Sequence, residues 1–261
     1  MRAFRSGHIR PRQRYRTVDV DGTQIRVRRT RPPLAGTCAP TLVLVHGIGM
    51  SHRSFGRLAR ELRDTHRVIA VDLPGFGGAP RPGRSLGIEG HAAAVAAALD
   101  ALGVEASVVV GHSMGTQVAV ELACTRPDLV EAVVLIGPVI DDRRPSLLRQ
   151  VATLMLDTLE ERPGVNIIAA TDYLRSFPQV IRELRPMLRH PTLARVFALT
   201  VPVLVIRGDH DPIVRHDWAA RVTAVAASGT LFEPAGTHHV QALAPDVVAA
   251  AISDLLRGVR R

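Results

Sequence analysis

Hydrophobic positions fall into short unbroken runs rather than alternating ones. Four of them lie in the first 140 residues: Thr41–Val45, Val68–Val71, Ser107–Val110 and Ala132–Ile136. A fifth, Val201–Ile206, follows much later, and Thr230–Phe232 forms a sixth. Continuous β-branched runs suit strands of a parallel sheet buried on both faces. Helix-compatible stretches separate them. Ser54–Leu62 has Ser51 or Ser54 available as a cap, and the Ala-rich Ile88–Leu102 is stopped by Gly103. Met114–Cys124 ends before Arg126-Pro127, and His216–Ala227 and Pro245–Leu256 complete the set. Ahead of them, Tyr15–Val20 and Thr23–Arg29 flank Asp21-Gly22, a strong hairpin signal. The alternation predicts an α/β fold, a doubly wound and mostly parallel sheet entered through an antiparallel hairpin.

Residues 141–200 break this rhythm, placing sixty residues where a short crossover would serve. The segment is both apolar and charged. It holds the helix-compatible stretches Leu147–Glu161, Val165–Arg175 and Gln179–Leu188, punctuated by Pro163, Pro178, Pro186 and Pro191. The pattern predicts an inserted helical cap rather than a linker. The expected organisation is a basic tail over 1–14, a core over 15–140 and 201–261, and a cap over 141–200.

Composition narrows the possible partners. The chain has 261 residues, 46% hydrophobic and 22% charged, as expected for a globular chain with a full core. The net charge of +9 is uneven. Residues 1–31 hold ten Arg against Asp19 and Asp21, whereas the remaining 230 hold 23 Arg against 22 acids. The body is therefore nearly neutral. With 3% aromatics it offers no stacking platform, and no nucleic-acid partner is expected. Cys38 and Cys124 cannot build a disulfide framework and read as small hydrophobes in a reducing compartment. No apolar run reaches the ~20 residues of a membrane helix, and the basic N-terminus has no apolar h-region behind it. A cytoplasmic protein without stable membrane insertion is the expectation. Oligomeric state is not encoded legibly.

The chemistry concentrates at Gly111-His112-Ser113-Met114-Gly115, between the run VVV and the helix TQVAVELA. This is the Gly-x-Ser-x-Gly nucleophile elbow in its strand–turn–helix setting. So tight a turn needs small flanking residues and lifts the Ser113 hydroxyl clear of the sheet edge, at the positive end of a helix. Other glycine-rich and histidine features are weaker. GFGGAP lacks the Lys-Ser/Thr of a phosphate loop, and the histidines show no metal-ligand spacing. No metal and no cofactor is expected.

The chain at this point resembles the α/β-hydrolase family, over roughly 15–140 and 200–257. His46-Gly47-Ile48-Gly49 after TLVLV resembles the oxyanion loop, and Asp72-Leu73-Pro74-Gly75-Phe76-Gly77 after VIAV resembles the family's DLPGFG turn. Gly208-Asp209-His210-Asp211-Pro212 and Gly236-Thr237-His238-His239-Val240 stand where the family places its acid and its histidine. The resemblance implies a Ser-Asp-His triad. Ser113 would be the nucleophile. Asp211, three residues past Gly208, would be the acid rather than Asp209, which then reads as a turn-former. His238, two before Val240, would be the base rather than its neighbour His239. Asp141 and Asp142 occupy an acid position used by some relatives. The backbone N–H groups of Met114 and Ile48 would form the oxyanion hole. His46 and His112 read as loop-packing histidines bonded to backbone. Two departures stand out: Thr237 occupies a usual glycine, and so does Thr116 after the elbow.

A serine at position 113 implies acyl chemistry on a small apolar substrate, a carboxylic ester by default, with thioesters and lactones fitting the same site. One alternative is carbon–carbon bond hydrolysis of a ring-cleavage dienone. Another is a ligand-binding protein that retains a triad.

Overall fold

In the computed structural model, residues 15–20, 22–30, 40–143 and 163–259 are described. The basic tail, Asp21, Cys38 and the stretch Leu147–Glu161 lie outside them. Eight strands form one sheet: β1 (Tyr15–Val20), β2 (Thr23–Arg29), β3 (Thr41–Val45), β4 (Val68–Asp72), β5 (Ser107–His112), β6 (Val130–Ile136), β7 (Val203–Ile206) and β8 (Gly229–Phe232). Their order is β1-β2-β4-β3-β5-β6-β7-β8. The β1–β2 and β2–β4 pairs are antiparallel, and every other pair is parallel.

The unbroken apolar runs follow from burial on both faces. Successive side chains point to opposite sides. Val43, Val45, Val109, Val133 and Leu135 join one core cluster, while Leu42, Leu44, Val108, Val110 and Val134 join the other. Helices α2 (Gly87–Ala101), α3 (Met114–Thr125) and α6 (His216–Val225) cover the first face. Helices α1 (Leu58–Leu62) and α8 (Pro245–Val259) cover the second, where Leu58, Leu62, Val248 and Ile252 are buried. Leaving β3, the chain steps to β4 on one side and then returns to β5 on the other. This change of direction makes the carboxyl ends of β3 and β5 a topological switch point, the place where open α/β sheets bind ligands.

Two elements differ from the sequence pattern. The stretch 54–62 divides into a single 3-10 turn, His52–Phe55, capped by the Ser51 hydroxyl, followed by α1. More notably, the two stretches 165–175 and 179–188 form one helix, α4 (Pro163–Arg189), with Pro178 and Pro186 inside it. A proline removes one N–H and crowds the carbonyl four residues earlier. Pro178 lies on an exposed face, and the carbonyl it frees belongs to Leu174, itself exposed, so solvent can satisfy that group. A short α5 (Thr192–Phe197) follows, and α7 (Val240–Leu243) precedes α8.

Candidate active site

The elbow holds because three backbones meet there. A methyl group at Gly111 would lie 2.2 Å from the Gly115 carbonyl oxygen, and one at Gly115 would lie 2.1 Å from that of Val45. No side chain fits at either position, and the chain can reverse from β5 into α3 with Ser113 at its apex. Ser113 takes φ 54° and ψ −122°, a conformation an L-residue adopts only under constraint. Its N–H donates to the Ile136 carbonyl at 3.0 Å, and the Thr116 hydroxyl donates to its carbonyl at 2.6 Å. Thr116, in place of the family's usual glycine, thus caps the turn from inside the helix.

Just after β6, Gly137 packs on the His238 imidazole, so close that a methyl there would lie 2.8 Å from Cε1. The Ile136–Gly137 peptide therefore touches both Ser113 and His238. His238 Nδ1 pairs with Asp211 Oδ2 at 2.8 Å, and both side chains are fully buried. The other carboxylate oxygen of Asp211 accepts from the N–H groups of Ile213 and Val214 at 2.8 and 2.9 Å. Burial opposes ionisation of Asp211, yet His238 and these two amides hold its carboxyl below the usual range.

The remaining acids are occupied elsewhere. Asp209 Oδ1 accepts from the Gly236 N–H at 2.9 Å and contacts His210, fastening one loop to the next. Asp141 and Asp142 pair with Arg221. His239 makes no hydrogen bond to Asp211; its ring lies beside that of His112, centroids 4.9 Å apart and tilted by 43°, and burial lowers its pKa to about 3. His112 Nε2 donates to the His238 carbonyl at 3.1 Å.

On the opposite wall, Gly47 packs directly on Ser113, where an added methyl would lie 2.9 Å from Cβ. The Gly47 carbonyl accepts from His46 Nδ1 at 2.7 Å and from the Met50 N–H at 3.2 Å. His46 Nε2 in turn accepts from the Leu73 N–H at 3.1 Å, so the neutral imidazole bridges two loops. A trans peptide points its N–H opposite its carbonyl. Anchoring the Gly47 carbonyl thereby aims the Ile48 N–H the other way. Met114 is the first residue of α3, where N–H groups have no intrahelical acceptor.

Sequence reasoning missed the polar residues of α4. Asp172, Ser176, Gln179 and Glu183 are all buried, at intervals of four, three and four. Asp172 accepts from Ser51 at 2.5 Å and pairs with Arg53 at 2.9 Å, while Ser176 donates to the Gly49 carbonyl at 3.1 Å. The Tyr173 ring lies against Gly49, and the Gln179 side chain against Gly75. Glu183 accepts from the Ser85 hydroxyl and the Leu86 and Gly87 N–H groups, each at 3.0 Å. The helix thus clasps the loops after β3 and β4 through one polar stripe. Its spacing is the available signal, a helical period written in polar residues.

Among the described residues, no group of three or more His, Cys, Asp or Glu side chains could hold a metal ion. A family model described as alpha/beta hydrolase fold matches residues 40–162. The chain is 37% identical over 125 residues to the dihydrolipoyllysine-residue acetyltransferase component of an acetoin cleaving system from Cupriavidus necator, covering 48% of this chain and 32% of that relative. This match therefore spans about a third of the relative's length. An uncharacterised hydrolase of Bacillus subtilis is 25% identical over 270 residues, 93% of this chain and 97% of its own. Among solved structures, a thermophilic esterase from Thermogutta terrifontis superposes with TM-score 0.78 at 22% identity, covering 94% of this chain and 97% of that one. The sheet order, the elbow and these matches agree: the chain has the α/β-hydrolase fold.

Proposed function

We propose that this chain is a serine hydrolase that cleaves a carboxylic ester, or a related acyl compound, through an acyl-enzyme on Ser113. The observation that carries the reading is Ser113, held at φ 54° beside a buried Asp211–His238 pair. In this reading Ser113 Oγ attacks the substrate carbonyl as His238 Nε2 takes its proton. Asp211 stabilises the imidazolium, and the Met114 and Ile48 N–H groups donate to the developing oxyanion. His238 returns the proton to the departing alkoxide. Water, activated by the same imidazole, then releases the acid and restores Ser113. The fold shared with an esterase supports the ester class.

The test combines covalent labelling with turnover. A fluorophosphonate probe should label the wild type and not Ser113→Ala, and that variant should lose on the order of 10⁴-fold in ester hydrolysis. Labelling without turnover on a panel of esters, a lactone and a thioester would move the reading to the carbon–carbon substrate. Undiminished hydrolysis by Ser113→Ala would refute it.

A further inference from the structure

The surface of α4 inverts the usual arrangement of an amphipathic helix. Its polar stripe, Asp172, Ser176, Gln179 and Glu183, faces inward; Asp172, Ser176 and Glu183 bond the loops they clasp, and Gln179 donates to Glu183. Its apolar ridge faces outward: Leu174, Phe177 and Ile181 are 81%, 52% and 57% exposed. At 100° per residue these three fall opposite the buried stripe. A soluble helix ordinarily places such residues against a core.

Charge is sorted in the same way. Over 172–189 the only carboxylates are Asp172 and Glu183, both buried on the inner side. The exposed side carries Arg175, Arg182, Arg185 and Arg189, all exposed and wound along one flank of the ridge. We infer that this face of α4 docks on an anionic lipid bilayer. The aliphatic and aromatic ridge reaches the boundary between headgroups and acyl chains, while the guanidinium flank meets lipid phosphates. Long arginine stems keep their heads at the phosphate level as their methylenes cover apolar surface. A nucleic acid would use the arginines and leave the ridge exposed. Docking is peripheral, since no described helix is long and apolar enough to cross a membrane. The inference stands apart from the proposed reaction and needs none of its residues.

The experiment is cosedimentation of the full chain with phosphatidylcholine vesicles, with and without phosphatidylglycerol. Binding is expected only with the anionic lipid, weakening as salt rises. Phe177→Glu/Ile181→Glu should lower the bound fraction about tenfold or more, because it places charge where the acyl boundary must be met. Arg185→Glu/Arg189→Glu should do the same; Arg182 is spared because it also bonds the Pro82 carbonyl. Thermal midpoints near that of the wild type show that the variants fold. Equal binding by the ridge variant would overturn the inference and assign the attraction to the arginine-rich N-terminal residues. Failure of the wild type to bind would also overturn it. So would a wild-type dimer, seen by light scattering, that the ridge variant dissolves, since a second copy would then own the face.

Discussion

His238 and His239 are adjacent and both buried, yet their surroundings give them different chemistry. His238 Nδ1 faces the Asp211 carboxylate. The Nδ1 of His239 has no hydrogen-bond partner among the described residues, and burial holds the ring neutral. If His238 is the base and Asp211 its orienting acid, His238→Gln and Asp211→Asn should each cost several orders of magnitude in kcat with modest change in KM. His239→Gln should retain most activity. Asp209→Asn should spare turnover and lower stability by about 1 kcal/mol, the worth of a loop hydrogen bond. Steady-state kinetics with one activated ester, beside urea unfolding, separates the four variants. A reversed order within either pair would reassign the roles. The sequence alone, with its HH and DHD spacings, left two candidates at each position. Which ring meets which carboxylate depends on how the loops after β7 and β8 lie, and contacts some 27 residues apart set that.

At the scale of elements, α4 decides how the upper loops are held. Glu183 alone accepts from Ser85, Leu86 and Gly87, and Gln179 adds a donor at 2.7 Å. Burial works to raise its pKa, but the neighbouring His91 imidazole and these donors keep the carboxyl below the usual range. Glu183→Ala would strand the buried Gln179 amide and three half-buried donors at once, each costing on the order of 1 kcal/mol. We expect an unfolding free energy lower by about 3 kcal/mol, read from the urea midpoint at constant slope. A loss no larger than that of an exposed substitution on the same helix would mean that the loops hold themselves. The strands and the helices packed on the sheet were legible, because each carries its own period and its own stop signal. The length of α4 was not. Proline punctuation argued for breaks, and the exposed outer face that makes those prolines tolerable is a tertiary property.

For the whole molecule, the buried titratable groups govern the response to acid. Burial is the main reason His46, His112 and His239 have lowered pKa values. Below about pH 6.5 the unfolded chain binds protons at these three sites that the folded chain refuses. Stability then rises with pH and is lost as pH falls from about 6.5, by up to about 1.4 kcal/mol per pH unit for each histidine. Asp72 acts lower in the range. Burial alone would raise its pKa, but the His52 side chain and N–H bring it down to about 2. Its stabilisation is complete above the ordinary carboxylate value of about 3.9 and is lost as pH falls from there toward about 2. Urea titrations between pH 7 and 5 should show a steep decline, and His239→Gln should make it shallower. Parallel slopes for the two proteins would show that His239 takes up its proton without unfolding.

Local pattern was sufficient for the sheet, the helices packed against it and the Gly-x-Ser-x-Gly turn, whereas the candidates Asp211 and His238 came from the resemblance to a family. Periodicity, β-branching and glycine spacing act over a few neighbours, and the chain writes them directly. Contacts between distant segments were needed for the rest. They include the partner of each histidine, the aim of the Ile48 N–H through the anchored Gly47 carbonyl, and the inverted face of α4. Spacing along a helix can say that four polar residues share a side. Only the loops packed there make that side the buried one, and so leave leucine, phenylalanine and isoleucine facing out.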